Sequence, residues 1–202
     1  MFFSFDGLDG VGKSTQLELF CDWLRERGNR VVTCRDPGST PLGDRIREIL
    51  LHSEADTPIA SRAEMLLYMA ARAQLVDEVI RPALERGETV VSDRFLLANL
   101  VYQGHAAGVS LDDLRSVGTI AIDGVIPTRV IVLDLPPEEA DNRIQGPRDR
   151  MESRGEAYRQ RLREGFLAEA AADPDRIAVI DAAGSIFEVH QRIRKLVGPL
   201  FD

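Results

Sequence analysis

The sequence predicts an α/β fold, a five-stranded parallel sheet with helices on both faces. Three observations point to it. Five short apolar runs, at 2–6, 31–34, 89–93, 130–135 and 177–181, alternate with stretches of helical spacing, as strand-helix-strand units require. Four of these runs finish at or beside an aspartate, Asp6, Asp93, Asp134 and Asp181, and ligands bind at the carboxyl edge of an open parallel sheet. A glycine-rich loop joins the first run to the first helical stretch.

That loop, Gly7-Leu8-Asp9-Gly10-Val11-Gly12-Lys13-Ser14-Thr15, matches the phosphate-binding pattern G-x-x-x-x-G-K-[ST]. Both flanks suit it: residues 2–5 read as a buried strand, and residues 16–27 as a helix with Leu17, Phe20 and Leu24 on one face. Gly7, Gly10 and Gly12 let successive backbone N–H groups curl round a phosphate, and the helix that follows aims the positive end of its dipole at the same anion. The whole stretch, Val11 and Thr15 included, is the expected ATP-binding segment. Lys13 adds a point charge, and Ser14 offers a hydroxyl to the Mg²⁺ that a nucleotide triphosphate brings. Lys13 is one of only two lysines in a chain that otherwise uses arginine, which fits a compact charge placed where a planar guanidinium would sit badly.

Residues 25–28 and 84–87 each place a cation in a last helical turn and close on a glycine, directly before a strand. Residues 61–85 read as one long helix, with Pro82 predicting a kink or break near Arg81. There are no repeats or linkers. The whole chain, 1–202, therefore reads as a single domain of the P-loop NTPase type with a short arginine-rich lid at about 143–155.

Composition narrows the partners. With 44% hydrophobic residues the chain can bury a full core. A net charge of −8 and an isoelectric point near 5.0 argue against a general nucleic-acid or membrane surface and leave room for a local basic pocket that takes small anions. Cys21 and Cys34 make no disulfide framework, and His52, His105 and His190 are too scattered for a zinc site. No apolar run reaches membrane-spanning length and the N-terminus opens on a strand rather than a signal segment, so the expected location is cytoplasmic.

The third run ends Asp93-Arg94-Phe95, a carboxylate for magnesium or its water shell beside a cation for a substrate phosphate, a pairing suited to phosphoryl transfer. Aspartate also ends strands for turn reasons, the reading favoured for Asp6 and Asp134. Tyr68 and Arg72 are four apart and share a helix face, where they either stack on and hydrogen-bond a pyrimidine or fill core and surface. Asn99 carries both a donor and an acceptor for the edge of a ligand. Segment 143–163 holds seven arginines, at 143, 148, 150, 154, 159, 161 and 163. A solvated charged helix has the same appearance. Gly146-Pro147 interrupts it, placing Arg148 and Arg150 on a lid and Arg159 to Arg163 on the next helix. A lid arginine supplies positive charge over the phosphates at the transition state while excluding water.

Taken together, these motifs resemble the bacterial thymidylate kinase family from end to end. Arg35-Asp36-Pro37-Gly38-Ser39-Thr40 is similar to its R-E-P-G-G-T segment and Tyr68-Met69-Ala70-Ala71-Arg72 to its aromatic-x-A-A-R helix. Asp93-Arg94-Phe95 resembles the D-R-aromatic signature, Tyr102-Gln103-Gly104 the Y-Q-G turn, and Asp149-Arg150-Met151-Glu152 the D-R-I-E of the lid. The resemblance implies transfer of the γ-phosphoryl group of MgATP to dTMP, giving dTDP and ADP on the way to dTTP, by a homodimer. It implies that Tyr68 and Arg72 hold the base, that Tyr102 crowds the sugar 2′ position, and that Asp9 faces the monophosphate and its 3′-hydroxyl. Arg94 and Arg35 would hold the acceptor phosphate. Positions 10 and 11 are glycine and valine, so the chain resembles the branch whose catalytic arginine lies in the lid, Arg148 first and Arg150 second. It differs from the family in Asp36 for glutamate, Ser39 for glycine, and Ala98 where serine is common, which shifts pyrimidine choice onto Asn99 and Arg72.

A kinase for another nucleotide or a deoxynucleoside would keep Lys13, Ser14 and Asp93 but differ at Tyr68, Arg72, Asn99 and Tyr102. A nucleotide-dependent switch is the reading from another class, and the guanine-reading N-K-x-D sequence that would support it is absent.

Overall fold

The computed structural model describes residues 1–52, 58–144 and 155–201. Its strands are β1 (Phe2–Gly7), β2 (Val31–Arg35), β3 (Thr89–Asp93), β4 (Arg129–Asp134) and β5 (Ile177–Asp181), each ending within one residue of the expected runs. All pair in parallel, in the order β2-β3-β1-β4-β5. The central strand β1 is buried along its whole length, with the polar Ser4 and Asp6 buried as fully as the phenylalanines they alternate with. Successive side chains point to opposite faces. Phe3 and Phe5 meet the ring of Phe20 on α1 (Lys13–Glu26) at 5.2 and 5.5 Å, whereas Phe2 meets Phe95 at 5.0 Å on the other face.

On the Phe3 face α1 packs beside α9 (Ile186–Val197), through Trp23, Val189 and Ile193. A capping box between Ser185 and Glu188 starts α9. On the Phe2 face lies α3 (Ser61–Leu75) with its continuation, and Leu75, Val76 and Ile80 close over Phe2, Val90 and Phe95. Two helices flank α3: α2 (Pro41–His52), through Ile46 and Leu50, and α6 (Leu111–Ile122), through Leu114.

Where a kink or break is expected near Arg81, the α-helix over 61–85 is interrupted but the chain stays helical. It widens into a π turn at Val76–Ile80, where the Arg81 N–H donates to the Val76 carbonyl five residues back, and resumes as α4 (Arg81–Glu85). The wide turn leaves Pro82 in the first turn of α4, where its missing N–H costs nothing. Gly28 and Gly87 end their helices as expected, with φ of +81° and +71°, so that Asn29 and Glu88 donate back to the carbonyls of Leu24 and Ala83.

From β1 the neighbouring strands diverge, β3 to one side and β4 to the other, and the crevice beyond their carboxyl ends is the ligand position of this topology. Phe5 pairs in register with Asp93, and the Arg94 N–H donates to the Phe5 carbonyl at 2.9 Å, so the glycine loop and the Asp93-Arg94 pair emerge side by side. The turn explanation fails for both remaining aspartates. Asp134 accepts two bonds of 2.8 Å from Arg163 on α8 (Glu156–Ala172), and Asp6 is fully buried beneath the loop with Ser4 Oγ donating to it.

Burial pushes the Asp6 carboxyl up to about 7. The folded chain thus keeps a proton that the unfolded chain releases above about pH 4, and the Asp6 contribution makes stability fall as pH rises from there to about 7. Asp6→Asn is expected to remove that fall. Denaturant midpoints between pH 4 and 7 check it, and an unchanged slope in the variant would contradict the assignment.

Candidate active site

Helix α1 begins at Lys13, earlier than its apolar periodicity suggests, because Gly12 takes a left-handed φ of +93° and turns the chain directly into the helix. The backbone N–H groups of Lys13, Ser14 and Thr15 therefore lie in its unpaired first turn, at the positive end of its dipole. Gly10 also has a left-handed φ, +88°, and a Cβ there would come within 2.1 Å of the Ala140 carbonyl oxygen on α7 (Pro137–Asp141). No larger residue fits that turn.

The loop forms one wall of a cavity of about 820 Å³. Arg35, Arg47, Tyr68 and Arg72 line a second wall; Asp93, Arg94, Asn99 and Tyr102 a third; and Arg143 with Gly184 to Ile186 the far end. The cavity thus collects the predicted residues Asp9, Gly10, Val11, Gly12, Lys13, Ser14 and Thr15 with every substrate-binding candidate. Gly7 lies below its surface and contributes a carbonyl, which accepts from Lys13 Nζ and Arg94 Nη1, each at 3.2 Å. Arg148 and Arg150, with the Asp149–Glu152 motif, lie outside the described residues.

The two cations meet on one carboxylate. Asp9 Oδ1 accepts from Lys13 Nζ at 3.1 Å and from Arg94 Nη2 at 2.6 Å, and Tyr102 Oη donates to Asp9 Oδ2 at 3.3 Å while accepting from Arg94 at 3.1 Å. Burial pulls the Asp9 carboxyl upward, but Lys13 and Arg94 outweigh it and hold it well below the usual carboxylate range. Burial in turn pushes the Lys13 ammonium down. Arg94 takes φ of +67°, a costly conformation for a residue with a side chain, and Ser92 Oγ fixes it by donating to the Arg94 carbonyl at 2.7 Å. Its guanidinium lies 5.0 Å from the centre of the Tyr102 ring.

Arg72 is not a surface residue. Its side chain is 1% exposed, Nε donates to Asp36 Oδ2 at 2.6 Å, and Nη2 donates to the Phe95 carbonyl at 3.2 Å. Burial pushes Asp36 up and Arg72 pulls it back. Removing one member of so buried a pair strands the other, so Asp36→Ala is expected to cost about 3–5 kcal/mol. Thermal unfolding measures it, and a loss below about 1 kcal/mol would mean the pair is not formed. The Arg35 side chain is half-exposed and donates to Asp44 at 3.0 Å. Ser39 adopts φ of +63°, a conformation that favours glycine, and its hydroxyl accepts from the Arg35 N–H at 2.9 Å.

Several residues at the site escaped the motif reading. Arg47 on α2 lines the cavity and donates to the Pro37 carbonyl at 3.1 Å; it sits on an amphipathic helix with no motif around it. Arg159, buried on α8, donates to the Asp9 carbonyl at 3.0 Å. Glu64 is four residues before Tyr68 on α3, a spacing that could have marked it. Two cavity carboxylates have a buried oxygen with no hydrogen-bond partner among the described residues, Asp36 Oδ1, whose other oxygen is held by Arg72, and Asp93 Oδ1. A hard oxygen donor of this kind, in one cavity with the exposed Ser14 of the loop, fits a magnesium ion that carries its own phosphate and water ligands.

The comparisons with known proteins agree with this geometry. The family model described as thymidylate kinase matches residues 5–193. The chain is 46% identical over 195 residues to the thymidylate kinase of Bifidobacterium longum subsp. infantis, covering 96% of this chain and 84% of that protein. It is 44% identical over 198 residues to that of Symbiobacterium thermophilum, covering 98% and 92%. The crystal structure of thymidylate kinase from Ehrlichia chaffeensis superimposes with a TM-score of 0.79 at 29% identity, covering 98% of both chains. The match runs from β1 into α9 and takes in every wall of the cavity, and the chain belongs to the thymidylate kinase family.

Proposed function

We propose that the cavity holds MgATP and dTMP end to end and passes the γ-phosphoryl group directly between them, giving ADP and dTDP for dTTP synthesis. Membership of the family makes the chain a nucleoside monophosphate kinase with ATP as co-substrate. The observation that carries the residue-level reading is the meeting of Lys13, from the donor loop, and Arg94, from the acceptor wall, on Asp9. Two cations from two motifs converge where two phosphates must meet.

In this reading the loop amides and Lys13 hold the donor phosphates, while Arg94 and Arg35 receive the 5′-phosphate of dTMP. Asp93 and Ser14 would hold a magnesium ion directly or through water, and the ion would supply positive charge to the phosphates. The acceptor phosphate is already ionised near neutral pH, so the attacking oxygen needs no general base. Arg148, with Arg150 second, supplies the lid charge at the transition state. Tyr68 stacks on thymine, Arg72 donates to its carbonyl, and Asn99 meets the imide edge.

Tyr102 packs against Arg94 and Phe166, its ring 6.4 Å from the Phe166 ring, and this packing supports a steric role against a 2′-hydroxyl. Tyr102→Ala is expected to admit the ribose analogue of dTMP about tenfold better relative to dTMP. Unchanged discrimination would remove the steric role.

No described helix is long and apolar enough to cross a membrane. The reading places the enzyme in the cytoplasm as a homodimer. Leu66 on α3 and Ile120 on the adjoining α6, 52% and 79% exposed, support such an interface. The function is tested by ADP release from MgATP with dTMP, dUMP, dCMP, dGMP, UMP, thymidine or no acceptor. Turnover with dTMP, and weakly with dUMP, is the expected result; acceptor-independent hydrolysis would contradict it.

A further inference from the structure

The Asn99 side chain is not free to choose which of its groups it shows the cavity. Its Nδ2 donates to Gln103 Oε1 at 2.7 Å, and Gln103 Nε2 donates in turn to Glu64 Oε1 at 2.8 Å. All three residues are buried, at 2%, 1% and 1% exposure, so water cannot substitute for any link. The Asn99 Oδ1 that remains is buried and without a partner among the described residues, on a residue that lines the cavity.

A carboxylate that accepts here has no amino group to offer in its place, whereas an amide carries both a donor and an acceptor and can be turned end for end at little cost. Glu64 therefore gives the chain a direction. It draws the amino group of Gln103, which leaves Gln103 Oε1 facing Asn99, which draws the amino group of Asn99. The Asn99 carbonyl is left over as the ligand-facing acceptor. A neutral amide in place of Glu64 would remove that bias, and both amides would sample the opposite orientation.

We propose that Glu64 is a positioning residue for base selection, acting through Gln103 to fix Asn99 as an acceptor toward the pyrimidine N3. The proposal rests on the reading of Asn99 as a base contact. Thymine and uracil carry an N3–H donor, which that acceptor meets. Cytosine presents an unprotonated N3, which would face the Asn99 oxygen acceptor to acceptor. Glu64, Tyr68 and Arg72 follow one another at four-residue spacing on α3, so one helix face supplies the carboxylate, the stacking ring and the guanidinium.

The test compares dTMP and dCMP as acceptors, with kcat and KM measured separately and folding checked by thermal melts. Glu64→Gln is expected to raise KM for dTMP about tenfold with kcat within about twofold, and to narrow the preference for dTMP over dCMP by a similar factor. The double variant Glu64→Gln with Gln103→Glu moves the carboxylate one link closer. The carboxylate at position 103 would then accept from both neighbours, so Asn99 keeps its direction, and wild-type preference is expected to return. A merely structural role for Glu64 does not predict that rescue. Wild-type selection in Glu64→Gln overturns the proposal, as does a folded double variant without wild-type preference, whatever the single variant does. Asn99→Ala separates the two levels. If it leaves selection intact, the base-contact reading itself fails. If it abolishes selection while Glu64→Gln does not, only the relay fails.

Discussion

Arg94→Ala lowers kcat/KM for dTMP by about a hundredfold or more, while the protein still folds. The expectation follows from where the guanidinium is held. Arg94 reaches Asp9, the Gly7 carbonyl and Tyr102 from the acceptor wall, and its backbone is kept in a left-handed conformation by Ser92 and by the Phe5 carbonyl. A conformation of this kind costs on the order of 1–3 kcal/mol in a residue with a side chain, and the surroundings must enforce it. Removing the side chain leaves the Tyr102 hydroxyl to donate to Asp9 from that wall and takes one cation from the meeting point of the phosphates. Steady-state kinetics at varied dTMP test it. Near-normal kcat/KM in a folded Arg94→Ala protein would defeat the assignment of Arg94 to the acceptor phosphate.

Lys13→Ala is expected to lower kcat by about 10²- to 10³-fold, the scale seen when one pre-placed donor to developing charge is lost. Lys13 is 8% exposed and its Nζ donates within the loop itself, to the carbonyls of Gly7 and Leu8 and to Asp9. In that position it is a compact charge enclosed by the backbone it serves. Lys13→Arg keeps the charge but brings a planar fork that the enclosed site does not accommodate, so it is expected to fail nearly as badly. Single-turnover rates with MgATP and dTMP separate the chemical step from release. Activity in Lys13→Arg close to wild type would show that charge alone suffices there.

The sheet was legible because its strands are short, mainly apolar runs punctuated by turn chemistry, and each strand lies within one residue of the run that predicted it. The long helix was less so. Pro82 forbids an ordinary continuation, but whether the chain breaks or widens is decided by packing, and Val76 and Ile80 stay buried against Phe2 and Val90 because the π turn keeps the helix going. At the candidate site, the loop, Arg35, Tyr68, Arg72, Asp93, Arg94, Asn99 and Tyr102, all singled out in the sequence, border or support one cavity, while the Asp149–Glu152 motif lies outside the described residues. Asp6 and Asp134 were misread because a terminal aspartate looks the same whether it closes a turn, sits dry beneath a loop or pairs with Arg163 from another helix. Arg47 and Arg159 were missed for a related reason. In a chain rich in arginine, only the fold says which guanidinium is turned inward.

In the proposed mechanism donor and acceptor share one cavity, and the phosphoryl group moves between them in a single step. The stereochemical course at phosphorus tests that claim most directly, using ATP made chiral at the γ-position with oxygen isotopes and sulfur, and dTMP as acceptor. One in-line displacement inverts the configuration, and inversion is the predicted result. Retention would mean two displacements through a covalent enzyme intermediate, and would contradict the single-step mechanism.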